Sequence, residues 1–132
     1  MRKAENTKIP PEVEREMDSI RKAILPKMAP LFCLALINKK PRYGYDIIKE
    51  SERIQNKVRD FPLKKKPMSA AMTYPLLHKL EENGLLKSEW NKRRKIYHIT
   101  SKGKKQLEVG KKLWKKAINA QIKIYKEIFE GD

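Results

Sequence analysis

The spacing of apolar residues changes at Asn83-Gly84, and that change restricts the fold more than any other feature. Upstream, apolar residues recur at three and four, the spacing of one helix face. Downstream, Leu85–Trp90 and Ile96–Thr100 alternate as two short strands. From Ser101 to about Phe129 helical spacing returns. A chain of three helices, one hairpin and a long final helix predicts a mostly α fold: a winged helix, with a three-helix helix-turn-helix core, a two-stranded wing, and N-terminal and C-terminal helices added.

Met1–Ile9 is polar and is expected to fray. Pro10-Pro11 opens a helix carrying Val13, Met17, Ile20 and Ile24, which Pro26 and Pro30 should break. Pro30 then suits the first turn of a central helix, Leu31–Asn38, apolar nearly all round. Lys39–Gly44 reads as a turn, and Tyr45–Val58 as a helix with Ile47, Ile48 and Ile54 inward. Asp60–Pro67 is a basic loop carrying Lys64, Lys65 and Lys66. Ser69 is an N-cap for the third helix, which Gly84 ends with a left-handed cap. The expected parts are an N-terminal extension and helix (1–29), a winged helix-turn-helix domain (30–102) and a C-terminal helix (103–132).

There are 32 Lys plus Arg against 16 Asp plus Glu, a net charge of +16. That field attracts polyanions, nucleic acid first among them. No apolar run reaches the length of a membrane span, and the charged N-terminus has no secretory h-region, so a cytoplasmic protein without a membrane partner is expected. The single cysteine, Cys33, lies in an apolar run and reads as a core thiol rather than a redox sensor. His78 and His98 have no metal-binding or catalytic context, and there is no phosphate-cradling glycine loop. No enzyme and no cofactor are expected.

Stepping about 100° per residue around the third helix gathers Thr73, Leu76, Leu77 and Leu80 on one side and Ala71, Tyr74, Pro75, His78 and Lys79 on the other. Small, aromatic and basic residues facing outward suit close approach to double-stranded DNA. Paired with the preceding helix, this one would enter the major groove. Beside it, Asn91–Lys95 reads as a polar tip too long for a two-residue hairpin, and its cations Lys92, Arg93, Arg94 and Lys95 suit phosphates or a minor groove. Ser69, at the helix start, would hold a phosphate. Tyr97 and Ile99 share a strand face that can cover the core; Trp90 should touch the core from the wing.

On the last helix Leu107, Trp114, Ile118 and Tyr125 line one side, with most lysines opposite. So wide an apolar stripe must pack on its own domain or on a second subunit. Gly110, in the stripe, would allow close helix approach.

Four elements occur in the order seen in PadR-family regulators: Tyr43-Gly44-Tyr45-Asp46-Ile47-Ile48; Tyr74-Pro75-Leu76-Leu77-His78-Lys79-Leu80; Glu82-Asn83-Gly84-Leu85-Leu86; and Arg94–Gly103. Over Leu31 to about Leu107 the chain resembles that family. One departure is Ala71-Met72-Thr73, where the family has Gly-Thr-aliphatic; the Thr73 hydroxyl would bond back to the Ser69 carbonyl. The resemblance implies a homodimer formed by the C-terminal helix together with the N-terminal one, so Val13, Met17 and Ile20 join Leu107, Trp114, Ile118 and Tyr125 as candidate interface residues. Arg42, Tyr43 and Tyr45 are further candidate DNA contacts, Tyr45 being equally readable as core. Some members of that family bind a small hydrophobic effector between interface aromatics; Trp114 is the candidate for such a part, a packing role being the favoured reading. The expected function is sequence-specific DNA binding as a dimeric regulator, a repressor of an inverted-repeat operator. The alternative is an architectural, weakly specific DNA-binding protein.

Overall fold

A computed structural model describes residues 10–57 and 68–131, without the side chains of residues 17, 18 and 20–26. The start expected to fray, the Asp60–Pro67 loop and the side chains of Met17, Ile20 and Ile24 lie outside the described part. The order is α1 (Pro11–Lys39), β1 (Arg42–Tyr43), α2 (Gly44–Asn56), α3 (Ala70–Glu82), β2 (Leu86–Asn91), β3 (Arg94–Ile99) and α4 (Ser101–Phe129). It is the expected winged helix, with two corrections.

The first is at the prolines. α1 runs unbroken through Pro26 and Pro30, so what reads as two helices is one of 29 residues. Each proline removes one backbone donor, about 3 kcal/mol in a helix interior. Packing outweighs that locally: Ala29, beside Pro30, and Cys33, Leu34, Leu36 and Ile37, just beyond it, are buried. The edges drawn at 29/30 and 102/103 therefore fall inside single helices.

The second is in the sheet, which has three strands in the order β1-β3-β2, all antiparallel. Arg42 pairs with Tyr97 and Tyr43 with Ile96, making a strand of the last residues of the expected turn. The hairpin is tighter than its composition indicates. Asn91 pairs with Arg94, leaving only Lys92-Arg93 as the turn. Lys92 supplies the left-handed backbone, φ 60°, that a two-residue hairpin loop requires.

The core lies where α1, α2, α3 and the inner face of the sheet meet, around Ile37, Ile47, Leu77 and Leu86. Met68, just before α3, and Leu107, on the first turns of α4, close it. Tyr97 is buried and Ile99 packs against the core, as their shared strand face predicts. Gly110 brings α4 onto α1: a Cβ there would lie 2.6 Å from Leu31 Cδ1. Cys33 is fully buried, and desolvation pushes its thiol up to about 12, so it stays protonated at neutral pH and is no thiolate sensor.

Thr73 is fully buried and its hydroxyl has no hydrogen-bond partner; the expected bond to the Ser69 carbonyl is absent. An unmatched buried hydroxyl is a standing cost. Thr73→Val keeps the shape and removes it, so the variant should be more stable by about 1–2 kcal/mol in urea unfolding. Equal or lower stability would mean that the hydroxyl is satisfied.

Candidate nucleic-acid interface

Ser69 caps α3, its Oγ accepting from the Met72 N–H at 3.3 Å. The helix then divides as its spacing predicts. Thr73, Leu77 and Leu80 are buried, while Ala71, Tyr74, Pro75, His78 and Lys79 are exposed. Proline in the second turn leaves the helix intact, its ring outward. His78 Nε2 lies 2.7 Å from Glu82 Oε1, one turn on, so the imidazole is oriented along the helix.

Behind Tyr74 stands Gly44, the first residue of α2. A Cβ at Gly44 would lie 2.5 Å from Tyr74 Cε1. The missing side chain lets the Tyr74 ring rest on the α2 backbone, which braces the start of α3 against α2. Tyr45 is exposed, a surface rather than a core residue, with Lys49 Nζ 5.5 Å from its ring centre.

The four wing cations do not act as one cluster. Lys92 and Arg93 occupy the turn and are exposed. Arg94 lies on one face of the hairpin, its guanidinium carbon 3.8 Å from the Tyr43 ring centre. Lys95 lies on the other, 5.4 Å from the Trp90 ring centre and 3.9 Å from Glu81 Oε1. Glu81 also accepts from the Ser88 hydroxyl, so one carboxylate joins the end of α3 to both wing strands. Between wing and helices opens a cleft of about 270 Å³ whose walls include Tyr43, Tyr45, Tyr74, Trp90, Arg93 and Lys95. With Tyr45, Tyr74 and Trp90 on its floor and cations at its rim, the cleft has chemistry suited to a sugar-phosphate chain.

Three expected positions are corrected. Arg42 is buried: its Nε donates to the Leu36 carbonyl at 2.9 Å and its guanidinium lies 3.6 Å from Glu50. It fastens β1 to α1 and α2 and does not reach the surface. Glu50 is held below the usual carboxylate range, first by its hydrogen bond from Arg53, with Arg42 and Lys39 adding. Trp90 is 66% exposed and lines the cleft instead of touching the core. Leu107 is buried in its own domain, so it cannot face a partner. Of the remaining interface candidates, Val13, Trp114, Ile118 and Tyr125 are exposed. Asn91, whose side-chain amide donates to the Tyr43 hydroxyl at 2.7 Å, was hidden from sequence reasoning by the misplaced turn. Had the two-residue register been read, it would have stood opposite Arg94.

A second, larger groove of about 680 Å³ runs between α1, α3 and α4, past Met28, Leu31, Leu76, Lys79 and Trp114. Among the described residues no cluster could hold a metal ion, and no helix is long and apolar enough to cross a membrane.

Residues 33–109, more than half of the chain, match the transcriptional regulator PadR-like family. The chain belongs to that family. The protein is accordingly a DNA-binding transcription regulator. Two solved structures share its fold. A PadR family transcriptional regulator from Eggerthella lenta is 24% identical, with a TM-score of 0.72 over 87% of this chain and 96% of that one. A PadR-like transcription factor from Bacteroides fragilis is also 24% identical, with a TM-score of 0.63 over 80% of this chain and 98% of the other. Curated proteins give no match.

The division of the wing cations has a measurable consequence. Replacing Lys92 or Arg93 by Ala should each flatten the salt dependence of DNA binding, by about 0.9 in log K against log salt for a full phosphate contact. Lys95→Ala should change the slope less, because Glu81 already lies beside its ammonium. A salt titration of the three variants checks the ranking, and an equal loss at all three positions would contradict it.

Proposed function

We propose that this PadR-like protein is a homodimeric repressor that binds an inverted-repeat operator in double-stranded DNA, with α3 in the major groove and the wing on the backbone. The carrying observation is α4. From Lys111 to Phe129 every residue of it is exposed, including Leu113, Trp114, Ile118, Ile122 and Tyr125. These residues form a continuous apolar strip, in which the Tyr125 and Phe129 rings stand 5.0 Å apart. A strip of that size on a projecting helix calls for a partner, and a second copy offers the same strip, closing a twofold interface. Val13, exposed near the start of α1, is available to the same contact. Two recognition helices related by a twofold axis would meet successive major grooves about 34 Å apart, the geometry of an inverted repeat. Repression by occupancy needs nothing beyond that binding, so the protein acts by binding rather than by chemistry. The groove beside Trp114 is where a small hydrophobic effector would lodge.

Trp114→Glu should convert a dimer into a monomer in light scattering, since a charge unpaired in a buried interface costs about 3–5 kcal/mol. A variant that remains dimeric would exclude this face as the interface.

Sequence reading is tested on α3. Binding sites selected from random DNA supply the operator. His78→Ala and Lys79→Ala should each weaken operator binding by about 1–3 kcal/mol per half-site, and random DNA less, with melting unchanged. Equal losses on both DNAs would assign these side chains to the backbone and favour the architectural alternative.

A further inference from the structure

The outer wing lacks backbone support. β1 pairs with β3 only at Arg42↔Tyr97 and Tyr43↔Ile96, whereas β2 and β3 continue two pairs further, to Trp90↔Lys95 and Asn91↔Arg94. Beyond Ile96 the hairpin is a two-stranded ribbon, which is marginal on its own. Tyr43 stands at that boundary. Its ring carries the Arg94 guanidinium at 3.8 Å, and its hydroxyl accepts from the Asn91 amide at 2.7 Å. Those two residues are the pair that closes the turn. One side chain therefore holds both strands of the ribbon next to its tip.

Tyr43 is itself firmly held. Its N–H donates to Asp46 Oδ2 at 3.2 Å, fixing it at the start of α2. The next residue, Gly44, is in contact range of Tyr74 on α3. The wing tip is thus referred, through Tyr43, to the same α2 backbone that braces the recognition helix. The contact also confines Arg94. A guanidinium whose carbon is 3.8 Å from the ring centre is held in place at the wing surface, where its planar N–H fork suits a phosphate.

We propose that Tyr43 is a positioning residue, which sets the wing tip and the Arg94 guanidinium in register with α3 for a backbone phosphate instead of contacting DNA itself. The proposal rests on the DNA-binding reading above. It predicts that Tyr43 acts on DNA only through Arg94, directly by the stack and indirectly by holding Asn91, the residue paired with Arg94.

The test is a double-mutant cycle in the full-length protein, read as affinity for a random-sequence duplex at low salt, with thermal melting alongside. Tyr43→Leu and Arg94→Ala should each weaken binding about tenfold, a loss of the size expected for a stacked guanidinium–phosphate contact. The double variant should be no weaker than Arg94→Ala alone, since residues acting as one unit are not additive. Tyr43→Phe keeps the stack and loses the hydroxyl, so it should weaken binding only about threefold, and Asn91→Ala should match it. Losses that multiply in the double variant would overturn the proposal, because Tyr43 would then touch DNA independently. Wild-type affinity in a folded Tyr43→Leu would overturn it too. Should Tyr43→Leu fail to fold, Tyr43→Phe with Asn91→Ala completes the cycle: coupled losses support the proposal and multiplying ones reject it. A wild-type protein that binds no duplex would instead reject the DNA-binding reading itself.

Discussion

Three elements meet at one crossing, and the geometry of the DNA-binding surface hangs from it. α3 ends at Gly84 in the left-handed region, φ 77°, and the chain turns directly into β2. There the Thr100 hydroxyl donates to the Gly84 carbonyl at 2.7 Å, and the Thr100 N–H donates to the Leu85 carbonyl at 3.1 Å. The same hydroxyl accepts from the Gly103 N–H, capping α4. Gly103 has no room for a side chain, since a Cβ would collide with the Leu85 carbonyl oxygen. Lys102 reaches back to the Asn83 carbonyl at 2.8 Å, where a cation also complements the C-terminal end of the α3 dipole. The end of the recognition helix, the base of the wing and the start of α4 are thereby fixed within a few residues of one another.

Against a net charge of +16, the carboxylates near the interface hold geometry rather than oppose binding. Glu81 joins α3 to the wing, Glu82 orients His78, and Glu89 lies 3.0 Å from His98 across the hairpin. Inside, Glu50 and the Leu36 carbonyl hold Arg42. A buried guanidinium is costly to desolvate unless its donors are used; here they tie a strand of only two residues to two helices. The exposed cations Lys92 and Arg93 remain at the surface, where their field meets a polyanion.

The helices α2, α3 and α4 were legible because their apolar spacing coincides with burial: Thr73, Leu77 and Leu80 fall inward, and α4 has its expected bounds, Ser101–Phe129. What was not legible depended on partners far along the chain. Arg42-Tyr43 is too short to carry a period and is a strand only because Tyr97 and Ile96 lie beside it. Lys92–Lys95 carries no glycine or asparagine at the turn, so its tight hairpin has no local signature; register against β2 sets it. Pro26 and Pro30 are strong local stop signals that burial of Ala29 and Cys33 overrides. The same limit applied at the surface. Arg42 stood among the candidate DNA contacts, whereas its place in space beside Glu50 and the Leu36 carbonyl makes it internal.

The two faces of the molecule share α1. Its C-terminal half lies under the helix-turn-helix, offering the Leu36 carbonyl to Arg42, while Leu31 on the same helix fits against Gly110 of α4. Gly110 costs helix propensity, about 1 kcal/mol relative to alanine, and what it permits is a close crossing between α1 and α4. Beyond that crossing α4 has only exposed side chains. In the proposed dimer, then, the direction in which α4 leaves the domain is set at Leu31 and Gly110, and the separation of the two recognition helices follows from that direction. Since α3 cannot move relative to α4 without disturbing Gly84, Thr100 and Gly103, the proposed interface and operator spacing would be two consequences of one rigid arrangement. In the proposed dimer, a larger side chain at residue 110 would alter the spacing between half-sites without touching any residue expected to face DNA.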